Sequence, residues 1–406
     1  MKILVYEHVS GGGYAEQLLP TEALAEGFAM LRCLVADLRA AGHQVTVLLD
    51  SRLFKLDPPI EATYTSQVLY INEPKKLLIN LAKNNDAIYI IAPETGQTLQ
   101  SYVELIEKTE KVSLNSQSIM IAKAANKIAL YDGLQKNGYP IPKSFILNVT
   151  NSITQIETAI TGQLTYPVIF KPVDGVGCSG ISLIENATDI NCGVAKIKSV
   201  SANPNFIAQE KVEGEPVSVS LLSNGKKAVA LTLNRQQITL AKSADSCYNG
   251  GCIPFEHPKK QEALTLSERI VETLNLRGYA GVDLILGERA LFVLDVNARL
   301  TTSYVGLRQV VDFNVAQALI DAVVTEQLPK KASTLGVTCF SKTHIAPLTS
   351  GVYRKTTRIA GVMAPPFPLS TGNQNTVLVM GYGNSIQNAH AHLEEVKNTL
   401  HRCINR

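Results

Sequence analysis

Gly278-Tyr-Ala-Gly-Val-Asp283-Leu-Ile-Leu-Gly-Glu-Arg-Ala-Leu-Phe-Val-Leu-Asp295-Val-Asn297-Ala-Arg299 carries two carboxylates, an amide and a guanidinium on what reads as a pair of strands. Residues 282–286 and 290–296 are apolar and β-branched, and Gly287-Glu288-Arg289 between them has turn composition, so a hairpin is predicted. Side chains two apart on a strand share a face, so Asp295 and Asn297 project together, and pairing can bring Asp283 beside them. Three oxygen donors with no His or Cys among them suit Mg²⁺, which keeps waters and is completed by phosphate oxygens. Arg299 follows on the same face, a planar cation suited to phosphate. One acid flanked by apolar residues needs no explanation beyond a strand end. An acid, a hairpin and a D-x-N-x-R run together do.

Length and composition bound the rest. The chain has 406 residues, 45% hydrophobic and 18% charged, which suits a globular protein of about two or three domains with large cores. A net charge of +3 without a basic run implies neither nucleic acid nor an anionic membrane as partner. No segment has the apolar length of a membrane span, and Met1-Lys-Ile-Leu-Val-Tyr6 enters a strand at once, without a signal-peptide core. Seven cysteines without C-x-x-C pairs predict packed thiols in a reducing cytoplasm rather than disulfides or zinc sites.

Residues 1–115 alternate strand and helix patterns: strands at 3–6, 44–49 and 87–92, and a helix over about 22–41. This predicts an α/β domain with a parallel sheet, in which ligands collect beyond the carboxyl ends of strands. Glu7, His8 and Ser10-Gly11-Gly12-Gly13 lie there after the first strand, and Pro93-Glu94-Thr95 after a later one. The glycines read equally as a flexible turn or as a substrate contact; His8 alone reads as structural.

A second domain begins near Ser116 with a helical run carrying Lys123 and Lys127, broken at Gly138-Tyr-Pro140-Ile-Pro142. Its strand Pro167-Val-Ile-Phe-Lys171-Pro-Val173 leads into Asp174-Gly175-Val-Gly177-Cys178-Ser179-Gly180. The glycine spacing is that of a dinucleotide-binding loop, which must open a helix. Here Ile181-Ser-Leu-Ile-Glu185 alternates like a strand, so a glycine-rich hairpin flap is predicted, able to lay backbone N–H groups over phosphates with Lys171 adding charge. An NAD-dependent oxidoreductase is thereby disfavoured. Phe206 to Gly214 reads as a strand ending in a turn and 217–222 as another; such an edge can pair with an adenine, which offers one donor beside one acceptor. Arg235, leaving a strand toward a polar loop at Cys247-Tyr-Asn-Gly-Gly-Cys252, reads either as a bidentate carboxylate holder or as a surface arginine. Cys178 in the flap reads as incidental.

In this order the motifs resemble those of the ATP-grasp superfamily of carboxylate-amine ligases, over roughly residues 1–325. The resemblance implies a mixed α/β and α+β chain: an N-terminal domain over 1–115, an ATP-grasp domain over 116–327, and an appended α+β lobe over 328–406. Within the ATP-grasp domain it implies a flap-bearing lobe at about 145–210 and a metal-binding lobe at about 211–327. Lys127 and Lys171 match the phosphate-contacting lysines, Gly175, Gly177, Ser179 and Gly180 the flap, and Glu210-Lys211-Val212 the adenine hinge. Asp283, Asp295 and Asn297 match the magnesium ligands, and Arg299 the arginine after them; Arg299 and Lys171 would act in catalysis. Many members place a ribose-contacting acid two residues beyond the hinge glycine; here Pro216 stands there and Glu215 precedes it. The implied cofactors are ATP and Mg²⁺, with Mn²⁺ as a substitute. The implied partners are small molecules, an amino acid and an amine, with no nucleic acid or membrane and with a homo-oligomer left open.

Further stretches resemble the tyramine-glutamate ligases of methanofuran biosynthesis: Val5-Tyr-Glu7 with Ser10-Gly11, Glu26-Gly27 with Met30, Ser218-Val-Ser-Leu221, Leu233-Asn-Arg235-Gln236, and Arg299-Leu-Thr-Thr302 with Tyr304-Val-Gly306-Leu307. That resemblance implies glutamate and a phenolic amine as substrates, Glu7, Ser10, Gly11 and Arg235 as candidate contacts, and Arg235 or Arg308 as the cation for a spare carboxylate. Ligation of a different amino-acid pair, or regulatory ATP binding without turnover, are the rival expectations.

Overall fold

The computed structural model describes residues 1–69, 73–175, 177–242, 245–369 and 374–405. Its N-terminal sheet contains β1 (Lys2–Glu7), β2 (Gln44–Asp50), β3 (Tyr64–Val68), β4 (Ala87–Ile91) and β5 (Val112–Ser113), all parallel, in the order β3-β2-β1-β4-β5. Ile3, Leu4, Val5 and Tyr6 are all buried, because a parallel strand is covered on both faces. Helix Thr21–Ala40 makes the crossover from β1 to β2 and buries Leu24, Phe28, Leu31 and Leu34 against the sheet.

The second sheet is antiparallel: β6 (Ser144–Asn148), β7 (Val168–Pro172), β8 (Ser182–Ile184) and β9 (Asn205–Glu210), in the order β6-β9-β7-β8. Phe170 and Phe206 pack at 4.9 Å within its small core. The predicted flap is the β7–β8 connection, with Gly177 and Gly180 at φ of 59° and 75°; Val176 lies outside the described residues.

The third sheet has eight strands in the order β14-β13-β10-β11-β12-β15-β17-β16. These are β10 (Glu215–Asn224), β11 (Ala228–Thr239), β12 (Cys247–Ile253), β13 (Arg277–Leu286), β14 (Leu291–Asn297), β15 (Val337–Ile345), β16 (Val362–Ala364) and β17 (Asn375–Gly383). Two local expectations change. The polar loop at 247–252 is strand β12, hydrogen-bonded to β11 on one side and β15 on the other, and Arg235 lies inside β11 rather than at its exit. Pairing on both edges overrides the weak strand propensity of Tyr-Asn-Gly-Gly. The strands of the last segment extend this sheet through the β12–β15 pair, and helix Ile386–Ile404 covers them.

Cys252 and Cys339 are directly opposite across that pair and form a disulfide, so the expectation of seven separate thiols fails for two of them. The pairing links residues 87 apart in sequence, and the cysteine pattern is no longer an argument for a reducing compartment. No helix among the described residues is long and apolar enough to cross a membrane.

Gly250 sits in β12 at φ +134°, and a Cβ there would run into the carbonyl oxygen of Phe340 on β15. Gly250→Ala should therefore cost about 3 kcal/mol or more of stability, read by urea denaturation, through loss of the β12–β15 ladder. An unchanged midpoint would show that the two strands can separate there without cost.

Candidate active site

The hairpin is β13 and β14. Asp283 stands directly opposite Asp295, Gly281 opposite Asn297, and the register shifts by one residue between Asp283 and Leu284. Like charges directly opposed on a sheet repel. Asp283 Oδ2 accepts from the Asn297 amide at 3.0 Å, and Oδ1 from the Gln236 amide at 2.9 Å. Burial, then the charge of Asp295, pushes the Asp283 carboxyl up to about 6 against those two hydrogen bonds.

Two lysines approach from a helix before β6 and from β7. Asn126 caps helix Lys127–Lys136 by accepting from the N–H groups of Ile128 and Ala129 at 3.1 and 3.2 Å, which places Lys127 in its first turn. The buried Lys127 ammonium pairs with Asp295 Oδ2; burial alone would lower its pKa, and that ion pair outweighs burial and raises it. One turn along the helix, the Tyr131 hydroxyl donates to the Leu294 carbonyl at 2.8 Å and accepts from Lys171 at 2.5 Å and from Gln209 at 3.1 Å. Lys171 is 5% exposed, and burial followed by the charge of Lys127 brings its ammonium down to about 7. Tyr131 was not anticipated; its place four residues after Lys127 on a helix is the signal that could have found it.

Arg299 joins the hairpin to the N-terminal sheet. Its Nε donates to Glu94 Oε2 at 2.6 Å, just beyond β4, and its Nη2 to Asn297 Oδ1 at 3.1 Å. Asp283, Asp295, Asn297, Arg299, Lys127 and Lys171 thus converge from three regions of the chain. Gly175, Gly177, Ser179 and Gly180 lie in the flap, with Gly177 and Ser179 exposed. Glu210, Lys211 and Val212 fall where β9 ends before β10, linking the second and third sheets. Glu210 accepts from the Lys143 N–H at 2.6 Å, and Lys211 pairs with Glu213.

Other candidates are placed differently. Register sets Asp283, Ser218 and Asn234 in one row and hence on one face, with Gln236 two residues on, while Arg235 faces the opposite side. There it donates to Glu215 at 2.5 Å and lies over the Phe255 ring, which occupies both residues away from the carboxylates. Glu7 is 2% exposed and accepts from Val9 N, Ser10 N and the Ser10 hydroxyl at 3.0, 2.7 and 2.6 Å, and the Gly11 N–H donates to its carbonyl at 2.8 Å. Gly27 packs onto the Glu7 carboxylate with no room for a Cβ. Glu7, Ser10 and Gly11 are accounted for by the loop they hold. Arg308 is likewise engaged, with its Nε at 2.8 and 2.7 Å from the two oxygens of Asp37.

His8 packs beside Tyr14 and Tyr102 with centroids 5.5 and 5.7 Å away, and burial, then the charge of Lys75, lowers its pKa from 6.5 to about 4. The unfolded chain binds a proton below 6.5 that the folded chain refuses, so this contribution is full above 6.5 and is lost as pH falls toward 4. His8→Gln should remove about 1–2 kcal/mol of the stability lost between pH 7.5 and 4.5, read by urea denaturation at both values. Equal pH dependence in the two proteins would show that His8 is protonated without cost.

The donor set fits a hard divalent cation. Two facing carboxylates and an amide oxygen offer oxygen donors only, and burial followed by the charge of Asp295 raises the Asp283 carboxyl, a cost that a cation between the two would relieve. Asp283, Asp295 and Asn297 could hold Mg²⁺, with Lys127, Lys171 and Arg299 placed for phosphate oxygens.

This combination of sheets and glycine-rich flap is that of ATP-dependent ligases with a two-lobed grip. Residues 124–303 match the ATP-grasp domain and residues 43–121 the pre ATP-grasp 3 domain, and the chain belongs to the ATP-grasp superfamily. It resembles the tyramine–L-glutamate ligase of Methanocaldococcus jannaschii, at 27% identity over 263 residues, covering 64% of this chain and 70% of that protein. It is 28% identical over 271 residues to the same enzyme of Methanocaldococcus fervens, covering 65% and 77%. Its fold is that of N5-carboxyaminoimidazole synthetase from Staphylococcus aureus complexed with ADP, with a TM-score of 0.66 at 16% identity over 99% of this chain and 96% of that one.

Proposed function

We infer that the protein is an ATP-dependent ligase that forms an amide bond through an acyl phosphate. The observation that carries this is the convergence of Asp283, Asp295 and Asn297 with Lys127, Lys171 and Arg299 beneath a glycine-rich flap. A carboxylate is a poor electrophile. Phosphorylation by the γ-phosphate of ATP converts it to an acyl phosphate, and an amine then displaces phosphate. This route requires no side-chain nucleophile; the chain's part is to position and to neutralise charge. Lys171 and Lys127 would hold the phosphates, and Arg299, fixed by Glu94, would meet charge that develops on the transferring group. Mg²⁺ on Asp283, Asp295 and Asn297 would supply electrostatic neutralisation of the triphosphate.

The resemblance to tyramine–L-glutamate ligase supports a glutamate γ-carboxylate as the activated acid and tyramine or tyrosine as the amine, in methanofuran-type cofactor synthesis in the cytoplasm. Incubation with ATP, Mg²⁺, glutamate and each amine should give ADP, phosphate and a γ-glutamyl amide by mass spectrometry. AMP and pyrophosphate would overturn the acyl phosphate. Ligation of another amino-acid pair would leave the ligase reading and remove the methanofuran one, and ATP binding without any ligation would favour a regulatory role.

A further inference from the structure

A charged cluster between the first helix and β15 is used by no step above. Lys342, on β15, has a side chain only 7% exposed, and its ammonium lies 2.8 Å from Glu22 Oε2 and 3.0 Å from Glu26 Oε1, both on helix Thr21–Ala40. Thr302, three residues beyond Arg299, donates its hydroxyl to Glu26 Oε2 at 2.7 Å. Three segments far apart in sequence therefore meet: the first helix, the loop after the hairpin, and a strand of the last segment.

They meet on the face of the sheet that carries Asp283. Register passes that face from Asp283 through Ser218, Asn234 and Gln236 to Gly251 and Phe340, and Lys342 lies two residues beyond Phe340 on it. Two carboxylates face one ammonium, so the cluster is negative overall and has affinity to spare for a cation. When Glu26 is engaged by such a cation, Lys342 is released in part for an anion while Glu22 still orients it. A zwitterion presents both charges at once. The two arginines that sequence suggests for a spare carboxylate are occupied elsewhere, Arg235 on the far face of the sheet and Arg308 on Asp37. Lys342 is a cation that the fold delivers to the Asp283 face of the sheet, which would give the last segment a part in the site.

We propose that Glu26 and Lys342 form the subsite for the backbone groups of a zwitterionic amino acid, with its ammonium on Glu26 and its α-carboxylate on Lys342. The side-chain carboxylate is then the one left to face the phosphates. Thr302 fixes the direction of Glu26. The proposal rests on the ligase reading.

The test measures ADP release by the wild-type protein with L-glutamate, with glutarate, which lacks the ammonium, and with 4-aminobutyrate, which lacks the α-carboxylate. KM for each analogue should exceed that for L-glutamate by about 30-fold or more, because a buried charge is left without its partner. Glu26→Gln should bring L-glutamate to the level of glutarate, and Lys342→Met to the level of 4-aminobutyrate, with KM for ATP unchanged in both. Where a different amino acid supports turnover, the comparison is made with that acid and its own deamino and decarboxy analogues. Equal use of all three compounds by the wild type overturns the subsite, and that arm requires no variant to fold. Variants that alter KM for ATP and for glutarate in step overturn it as well. If no amino acid supports ADP release, the ligase reading itself fails, a distinct outcome.

Discussion

Asp283→Asn should lose turnover by about a thousandfold and yet melt above the wild type when Mg²⁺ is chelated. The two effects have one cause. Asp283 faces Asp295 across the hairpin without a cation of its own, since Lys127 is taken by Asp295, so the native fold without metal carries a like-charge contact that the amide removes. Asparagine keeps the shape and one acceptor for the amides of Gln236 and Asn297, and the gain should be about 1 kcal/mol, a few degrees at most. Mg²⁺ with ATP should raise the melting temperature of the wild type and much less that of the variant, because a ligand stabilises only the form that binds it. Near-normal turnover in Asp283→Asn would remove the central assignment. Loss of turnover with a lower melting temperature would show that Asp283 mainly holds the hairpin together.

Lys171→Met should lower kcat/KM for ATP by about a hundredfold while leaving the fold as stable as before or more so. Lys171 keeps a buried ammonium whose hydrogen-bond partner is the neutral hydroxyl of Tyr131, next to the cation of Lys127. Such a charge is unfavourable in the free protein, and bound phosphate would relieve it. Methionine has nearly the same length without the charge. Lys171→Arg retains the charge and should recover part of the loss, limited by the volume of a guanidinium at a position 5% exposed. A marked drop in stability with unchanged use of ATP would mean that Lys171 serves packing.

Much of this site was legible because local rules determine it. The period of two along a strand puts Asp295 and Asn297 on one face, and the turn composition of Gly287-Glu288-Arg289 places Asp283 within reach, as the register confirms. The same rule explains the Ser218-Val-Ser220 and Asn234-Arg-Gln236 stretches: their alternate residues line the carboxylate face, where Asn234 donates to Ser218 and Ser220 at 3.3 and 3.0 Å. What escaped the sequence depends on long-range register. That Gln236 rather than Arg235 shares the carboxylate face can be assigned only once β10 is known to lie between β11 and β13. Tyr-Asn-Gly-Gly looks like a loop until neighbours on both sides are known to satisfy its backbone groups. Cys252 and Cys339, like Lys342 and Glu26, meet only in three dimensions.

The β12–β15 seam also sets an order of events during synthesis. The strands that carry Lys171, Asp283, Asp295 and Asn297 have all been translated by Asn297, whereas β15, the partner of β12, begins only at Val337. In the interval the growing sheet ends on β12, a strand with its hydrogen-bonding groups unpaired on one side and open to a strand of another nascent chain. Arrival of β15 pairs that edge, so strands translated after the whole hairpin cover hydrogen-bonding groups that the earlier ones leave open.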